Sequence, residues 1–228
     1  MLLADPHLPA PIAIDGPAAS GKSALGAALA VRFGYRFLDT GLMYRAFTLA
    51  ALRANVPAEN ADCLRFGSEL ALTLHHRDWD TRVLIDGEDV TDLLRDPQVE
   101  ANVSRYSALR PVREQMVRQQ REFAAGTPAI LAGRDIGTVV LPNAPLKFYL
   151  EASEEARASR RSTQASQWGH TQATSRAHQD IIARDVADST REVSPLRPAA
   201  DAIVIDTTHI TLTQVIAIAA ERVACFAA

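Results

Sequence analysis

One eight-residue segment near the amino terminus constrains this chain more than any other. It follows the pattern GxxxxGK[ST] and stands between an apolar run that ends at Asp15 and a helical pattern that continues beyond Ala24. Glycines in such a loop let backbone N–H groups surround phosphate oxygens, and the following helix N-terminus adds its partial positive charge. The lysine of this pattern reaches the β- and γ-phosphates of a nucleotide, and its hydroxyl residue is a magnesium ligand. The segment therefore predicts a phosphate-binding loop, formed by Gly16, Pro17, Ala18, Ala19, Ser20, Gly21, Lys22 and Ser23.

Short apolar runs alternate with longer helical patterns along the chain. Leu25, Leu29 and Phe33 recur four residues apart between the first two runs, and Gly34 follows where a helix C-terminal glycine belongs. The runs are continuously apolar, which is typical of strands covered on both faces in a parallel sheet. This order predicts a three-layer α/β fold with a five-stranded parallel sheet. The predicted strands are residues 11–15, 36–39, 129–132, 146–150 and 202–205.

Two stretches depart from this alternation. From Glu69 to Val90 the apolar residues recur with period two around a turn at residues 78–81, which predicts an antiparallel hairpin. The segment from Ser162 to Gln179 is polar and contains a single large apolar residue, Trp168. Because it can bury little apolar surface, we expect it to be a mobile lid.

Charge and composition exclude several classes of protein. The net charge is −3, so we expect neither a nucleic acid polymer nor an anionic membrane surface as a partner. No uninterrupted apolar segment reaches the about 20 residues of a membrane span. Residues 1–11 carry an acidic residue and three prolines instead of a signal sequence, which predicts a disordered lead-in and a cytoplasmic protein. Cys63 and Cys225 are expected to be buried thiols.

The scarcity of lysine narrows the function further. Of the 24 basic residues only Lys22 and Lys147 are lysines. We interpret most of that imbalance as the result of arginine-rich codon usage. Lys147 lies inside a predicted strand, so the chain lacks the [NT]KxD motif of guanine-specific GTPases. No apolar strand ends in Asp-Glu, as a motor or AAA-type ATPase requires. The residues alone leave two alternatives, a small-molecule kinase and a nucleotide-binding protein without turnover.

Four longer segments resemble the bacterial cytidylate kinases, which belong to the nucleoside monophosphate kinases. The resemblance runs over nearly the whole chain, and the hairpin with its sequence from Ile85 to Arg95 is similar to an insertion of that family. It implies a P-loop kinase fold in which ATP, with Mg²⁺, phosphorylates CMP or dCMP. The segments are Ile12–Ser23, Phe37–Ala46, Gly133–Leu150 and Arg184–Asp206.

The second strand is followed by Asp39-Thr40-Gly41, with Tyr44 and Arg45 one helical turn further on. Without the resemblance, the default interpretation is that Thr40 is an N-cap and Arg45 a surface residue. The resemblance implies instead that Thr40, Tyr44 and Arg45 bind the acceptor, with the guanidinium fork clamping its phosphate.

Arg134 and Asp135 follow the third strand, at the sheet edge where α/β proteins bind ligands. By resemblance, Arg134 contacts the acceptor phosphate and Asp135 orients it or holds a magnesium-bound water. Arg184, Asp188 and Arg191 are spaced to share one helical face, which on its own fits an exposed ion-paired surface. The resemblance implies that the two arginines close on the transferring phosphate and that Asp188 binds the sugar.

Four further residues receive roles from the resemblance. Arg157 stacks on the adenine of ATP, and Arg161 meets the ATP phosphates, although a basic helix face is often only solvated. Ser104 and Arg113 read the cytosine edge, whose ring nitrogen and carbonyl accept hydrogen bonds. The alternative for this pair is a helix cap and a surface arginine. Ala24 completes the phosphate loop where many relatives have threonine.

These inferences describe a single P-loop kinase domain, expected to be a monomer. Its predicted core comprises residues about 10–39, 125–156 and 196–228. The acceptor-binding region with its hairpin spans about 40–124, and the lid about 157–195. No general base is expected, because the second pKa of a phosphate monoester is about 6.

Overall fold

A computed structural model describes residues 7–77, 80–167 and 174–226. Its main sheet has five parallel strands in the order β2-β6-β1-β7-β8. All five strands lie within one residue of their predicted bounds, so the predicted parallel sheet is confirmed. The strands are β1 (Ile12–Asp15), β2 (Arg36–Asp39), β6 (Ala129–Gly133), β7 (Leu146–Glu151) and β8 (Ile203–Asp206).

Helices cover both faces of this sheet. Successive residues of β1 point to opposite sides, so Ile12 and Ile14 belong to one buried cluster and Ala13 to another. The cluster of Ile12 is completed by α1 and α8, and that of Ala13 by α2 to α5, giving the predicted three layers. The helices are α1 (Lys22–Phe33), α2 (Thr40–Arg53), α3 (Asn60–Glu69), α4 (Pro97–Ser107), α5 (Arg110–Ala124), α6 (Glu154–Gln167), α7 (Thr174–Thr190) and α8 (Leu212–Cys225).

The predicted hairpin is confirmed, with two differences. Strands β3 (Leu72–Arg77) and β4 (Asp80–Ile85) pair antiparallel, and a short strand β5 (Glu88–Asp89) extends them to a three-stranded sheet. Leu70 lies within the segment whose period-two pattern predicted the hairpin, but it caps the end of α3 instead of joining a strand. The predicted turn falls partly on residues 78–79, outside the described residues. The sheet joins the α2 side of the core through Leu72, Val83 and Ile85.

The predicted lid is largely helical. Helices α6 and α7 continue into it from both sides and pack on each other, with Ala165 and Ile181 buried. Trp168 lies outside the described residues, and motion of the segment stays a prediction. Helix α7 ends at Thr190, so Arg191 lies just beyond the helix whose face we expected it to share.

Two smaller expectations are also resolved by the structure. Cys63 is buried as predicted, but Cys225 is exposed at the end of α8, so that expectation was wrong. We expected residues 1–11 to be a disordered lead-in, but part of this segment is held in place. The Tyr35 hydroxyl donates a hydrogen bond to the Pro9 carbonyl (2.7 Å). Residues 1–6 lie outside the described part of the chain. None of the described helices combines the length and apolarity needed to cross a bilayer.

Candidate active site

The glycine-rich loop connects β1 to α1 at the carboxyl edge of the main sheet. Gly16 has a φ of +146°, and a Cβ there would lie 2.1 Å from the Leu150 carbonyl oxygen, so only glycine fits. Gly21 takes the left-handed conformation directly before α1, whose first residue is Lys22. The loop thereby presents the amino end of α1, with its unpaired N–H groups, to the sheet edge.

Lys22 folds back over the loop. Its ammonium donates to the Pro17 carbonyl (2.6 Å) and to the Ser20 hydroxyl (3.3 Å), and the side chain is buried. Burial lowers the pKa of Lys22 well below its ordinary value, and the guanidinium of Arg134 lowers it further. Arg184 acts on the pKa of Lys22 in the same direction as Arg134.

Ser23 and Asp39 place a hydroxyl and a carboxylate side by side at this edge. The exposed Ser23 hydroxyl donates to the Asp39 carboxylate (2.6 Å), and Asp39 also caps α2 by accepting from the Gly41 N–H (3.0 Å). Hydroxyl and carboxylate oxygens suit Mg²⁺, which usually completes its shell with water and substrate phosphates. No cluster of three or more metal-ligating side chains occurs in the described residues. Asp39 was absent from the predicted site, although its place at a strand's carboxyl end was a usable signal.

Thr40 is buried as the first residue of α2, and it is not the N-cap that the residues alone allowed. Its hydroxyl donates to the Ala132 carbonyl (2.9 Å) and so ties α2 to the end of β6. Tyr44 is buried one turn further on, and burial raises the pKa of its phenol to about 12. The Tyr44 hydroxyl has no hydrogen-bond partner among the described residues.

Three predicted arginines meet on one carboxylate that sequence reasoning missed, Glu100 in α4. Arg45 donates to it at 2.7 Å, Arg161 at 2.9 Å and Arg184 at 3.1 Å. Burial alone would raise the pKa of Glu100, but the three guanidiniums outweigh it and lower the pKa to about 2. No local pattern could reveal this group, because its partners lie 55 to 84 residues away.

Asp188 and Asp135 gather the other predicted side chains into a second cluster. Arg134 donates to Asp188 at 2.7 Å, and Arg191 lies 3.8 Å from both Asp188 and Asp135. Arg113 contacts Asp135 at 2.5 Å, and only 2% of the Arg113 side chain is exposed. Two interpretations that the residues alone allowed are therefore wrong. Arg184, Asp188 and Arg191 do not form an exposed ion-paired helix face, and Arg113 is not a surface residue.

Asp15 fixes the loop that carries Arg134 and Asp135. Its carboxylate accepts the backbone N–H groups of Ile136 (2.8 Å) and Gly137 (2.7 Å). Burial raises the pKa of Asp15 to about 6, although these two hydrogen bonds act in the opposite direction. Asp15 thus holds that loop against the phosphate-binding loop it directly precedes.

Arg157 connects the two lid helices to the phosphate-binding loop. Its guanidinium pairs with Asp185 of α7 at 2.6 Å and donates to the Ala18 carbonyl at 3.3 Å. Asp185 was not predicted as a site residue, since only the folded structure brings it to α6. Arg157 is therefore placed beside the loop that would bind ATP.

The site leaves several buried polar atoms without a hydrogen-bond partner among the described residues. Such atoms are costly in a folded protein unless a ligand or water completes them. Their concentration here makes this site a candidate for binding a polar ligand. They are Tyr44 Oη, Arg113 Nε, Arg184 Nε, Asp185 Oδ1 and Arg191 Nη2.

Ser104 lies in α4, four residues beyond Glu100. Its side chain is half-buried, and the described part of the chain offers its hydroxyl no hydrogen-bond partner. The Arg113 guanidinium is engaged by Asp135 and by the Ser107 carbonyl (3.2 Å). The two predicted base-reading residues thus come from α4 and α5, which pack on each other.

The sequence comparisons decide the family to which this site belongs. The family model described as Cytidylate kinase matches residues 12–224. The chain belongs to the cytidylate kinase family. A cytidylate kinase of Halalkalibacterium halodurans is 45% identical over 205 residues, covering 90% of this chain and 92% of the relative. A cytidylate kinase of Nocardia farcinica is 46% identical over 213 residues, covering 91% and 90% of the two chains.

Solved structures agree with the fold of this cytidylate kinase family member. A crystal structure of an uncharacterized protein from Eubacterium ventriosum has a TM-score of 0.51 at 9% identity, covering 93% of this chain and 97% of that one. At that identity the likeness concerns the fold alone. The resemblance on which our expectations rested is thus confirmed at the level of the family and the α/β architecture.

Proposed function

We propose that this protein transfers the γ-phosphoryl group of ATP to CMP or dCMP, giving ADP and CDP or dCDP. The observation that carries this proposal is the convergence of arginines from the acceptor region and the lid in front of a phosphate-binding loop. Membership in the cytidylate kinase family supports the choice of acceptor. A binding protein without turnover would have no use for arginines on the acceptor side.

On the donor side, the loop from Gly16 to Ser23 with Ala24 would hold the ATP phosphates, and Lys22 would turn from Pro17 to the β- and γ-phosphates. Arg157 would stack on adenine and Arg161 would contact the ATP phosphates. Ser23 and Asp39 would hold Mg²⁺. The ion, when bound, neutralises charge on the phosphate oxygens.

On the acceptor side, the phosphate of CMP would be held by Arg45 and Arg134, with Thr40 and Tyr44 as neutral donors. Asp188 would accept hydrogen bonds from the sugar. Ser104 and Arg113 would donate to the ring nitrogen and carbonyl of cytosine. These assignments require CMP to contact α2, α4, α5, α7 and the loop after β6 at the same time.

Transfer requires positioning and charge stabilisation rather than proton abstraction, because the acceptor phosphate is already largely dianionic near neutral pH. Lys22, Arg134, Arg184 and Arg191 would surround the transferring group, and Asp135 would orient the arginines. Closure of α6 and α7 would exclude water that otherwise competes as nucleophile.

We further propose that the chain works as a monomer with three parts, the core, the acceptor-binding region of residues about 40–124 and the lid of about 157–195. A single peak at the monomer mass in light scattering, with full activity, supports this proposal.

A coupled assay with ATP and a panel of CMP, dCMP, UMP, AMP and shikimate tests the function. We expect CMP or dCMP to give the highest kcat/KM, and a higher value for AMP or shikimate contradicts the assignment. Lys22→Ala should lose turnover almost completely. Absence of any CMP-dependent ADP release from the wild-type protein would leave the nucleotide-binding alternative.

A further inference from the structure

Glu100 receives three guanidiniums from three different helices. Arg45 belongs to α2, Arg161 to α6 and Arg184 to α7, and all three donate to its two carboxylate oxygens at 3.1 Å or less. The carboxylate is largely buried, with 16% of the side chain exposed. Glu100 therefore lies between the acceptor-binding region and the lid, and its carboxylate pairs with arginines from both.

The proposed roles of these arginines make this position unusual. Arg45 is assigned to the acceptor phosphate, Arg184 to the transferring phosphate and Arg161 to the ATP phosphates. A carboxylate presents two oxygens to a guanidinium fork much as a phosphate does. Glu100 thus engages the donors that a phosphate would need.

The net charge around Glu100 favours replacement of its carboxylate by a dianionic ligand. Three guanidiniums and one carboxylate leave a surplus of two positive charges in a partly buried site. A phosphate monoester carries between about 1.5 and 2 negative charges at pH 7. Such a ligand can replace Glu100 at the arginines, whereas a monoanion offers them no more charge than the carboxylate already does.

We propose that Glu100 is a specificity-determining residue that occupies the phosphate position in the ligand-free protein and yields it only to a dianionic phosphate. This inference rests on the proposed function, because it takes the three arginines as the phosphate-binding groups. Until a phosphate binds, Glu100 also connects α4 to α6 and α7 through its ion pairs with Arg161 and Arg184. Neutral nucleosides and monoanions are rejected because they cannot displace it.

The test compares Glu100→Gln with wild type, since glutamine keeps the shape of the side chain and removes its charge. Binding of inorganic phosphate and of CMP is measured by calorimetry without ATP. We expect the dissociation constant for inorganic phosphate to fall about tenfold or more in the variant, because no like charge must leave the arginines. Glu88→Gln is the control, because Glu88 pairs with Arg53 in an exposed position outside the site, and phosphate binding should stay as in wild type.

Thermal unfolding supplies a second readout if Glu100→Gln is weakened by the uncompensated arginines. Added phosphate should raise the Tm of the variant more than that of wild type. Unchanged or weaker phosphate binding in Glu100→Gln, by both methods, overturns the proposal and makes Glu100 a fixed support of the arginines.

Arg45→Ala separates this inference from the proposed function. If Arg45→Ala leaves the KM for CMP unchanged, the assignment of the acceptor phosphate fails and the Glu100 proposal fails with it. If Arg45→Ala raises that KM but Glu100→Gln binds phosphate no more tightly, only the Glu100 proposal is overturned.

Discussion

Buried carboxylates organise the arginines of this site at the scale of single residues. Glu100, Asp135 and Asp188 each engage at least two guanidiniums, and each is less than a fifth exposed. A buried guanidinium without such a partner costs several kcal/mol. The acidic residues thus allow a dense cationic site to exist in the absence of phosphate.

Ser104 gives the sharpest test of base recognition. Ser104→Ala should raise the KM for CMP about tenfold, which corresponds to one lost hydrogen bond of about 1.4 kcal/mol, and leave the KM for ATP unchanged. Ser107→Ala is the matched control, because the Ser107 hydroxyl only donates back to the Ser104 carbonyl within α4 (3.2 Å). Equal rises in both KM values for Ser104→Ala would contradict the role.

Asp15 should make stability depend on pH near 6. Its pKa of about 6 in the folded protein lies above its ordinary value of 3.8. Its contribution to stability is therefore largest below pH 3.8 and is lost as the pH rises through 6. Relative to Asp15→Asn, wild type should gain about 1 kcal/mol of unfolding free energy between pH 7 and pH 5. Urea unfolding at several pH values measures this difference, and a pH-independent difference contradicts the prediction.

At the scale of elements, close packing of α1 on β2 positions the helix that carries Lys22. Gly26 of α1 faces the Phe37 ring of β2, and a Cβ at Gly26 would lie 2.2 Å from a ring carbon. Both residues are buried. The small residue therefore sets how near the phosphate-binding helix lies to the sheet.

Gly26→Ala tests which of two opposing effects prevails in α1. Alanine gains about 1 kcal/mol in helix propensity, but overpacking a buried contact costs about 1–3 kcal/mol. Because the clash is with a buried ring, we expect the free energy of unfolding to fall by about 1 kcal/mol or more. Adding Phe37→Leu should restore part of the loss, and a Gly26→Ala variant as stable as wild type would refute the prediction.

At the scale of the whole molecule, ion pairs connect parts that are distant in sequence. Glu100 joins α4 to α6 and α7, and Arg134 joins the end of β6 to α7 through Asp188. The parallel sheet brings the carboxyl ends of β1, β2 and β6 to one edge, where these contacts converge. Donor and acceptor sites should therefore respond to each other.

A ligand that links adenosine and cytidine through five phosphates should test that response. We expect it to raise the Tm well above the value reached with ATP and CMP together at equal concentration, because the second half binds intramolecularly. Differential scanning fluorimetry measures the effect. If the linked ligand stabilises no more than the separate nucleotides, the two sites do not face each other as proposed.

Local pattern was enough to predict the strands, the phosphate-binding loop and the hairpin. Continuous apolar runs and the spacing of glycine and lysine are formed by residues close together in the sequence. The structure confirms the positions of the strands and of the loop within one or two residues. The helical position predicted for Arg191 was wrong, because no glycine or proline in residues 190–194 marks the end of α7. Cys225 was misjudged because burial depends on what covers the last turn of α8.

The sequence by itself determined the layered fold and a phosphate-binding loop ending in Lys22 and Ser23, because each is encoded by residues close together in the chain. Only the tertiary structure decided that Glu100 lies at the centre of the arginines, that Asp39 meets Ser23 and that Asp15 holds the loop after β6. These contacts form between segments brought together by folding. Their strength comes from low exposure and charge pairing, which no local spacing reveals.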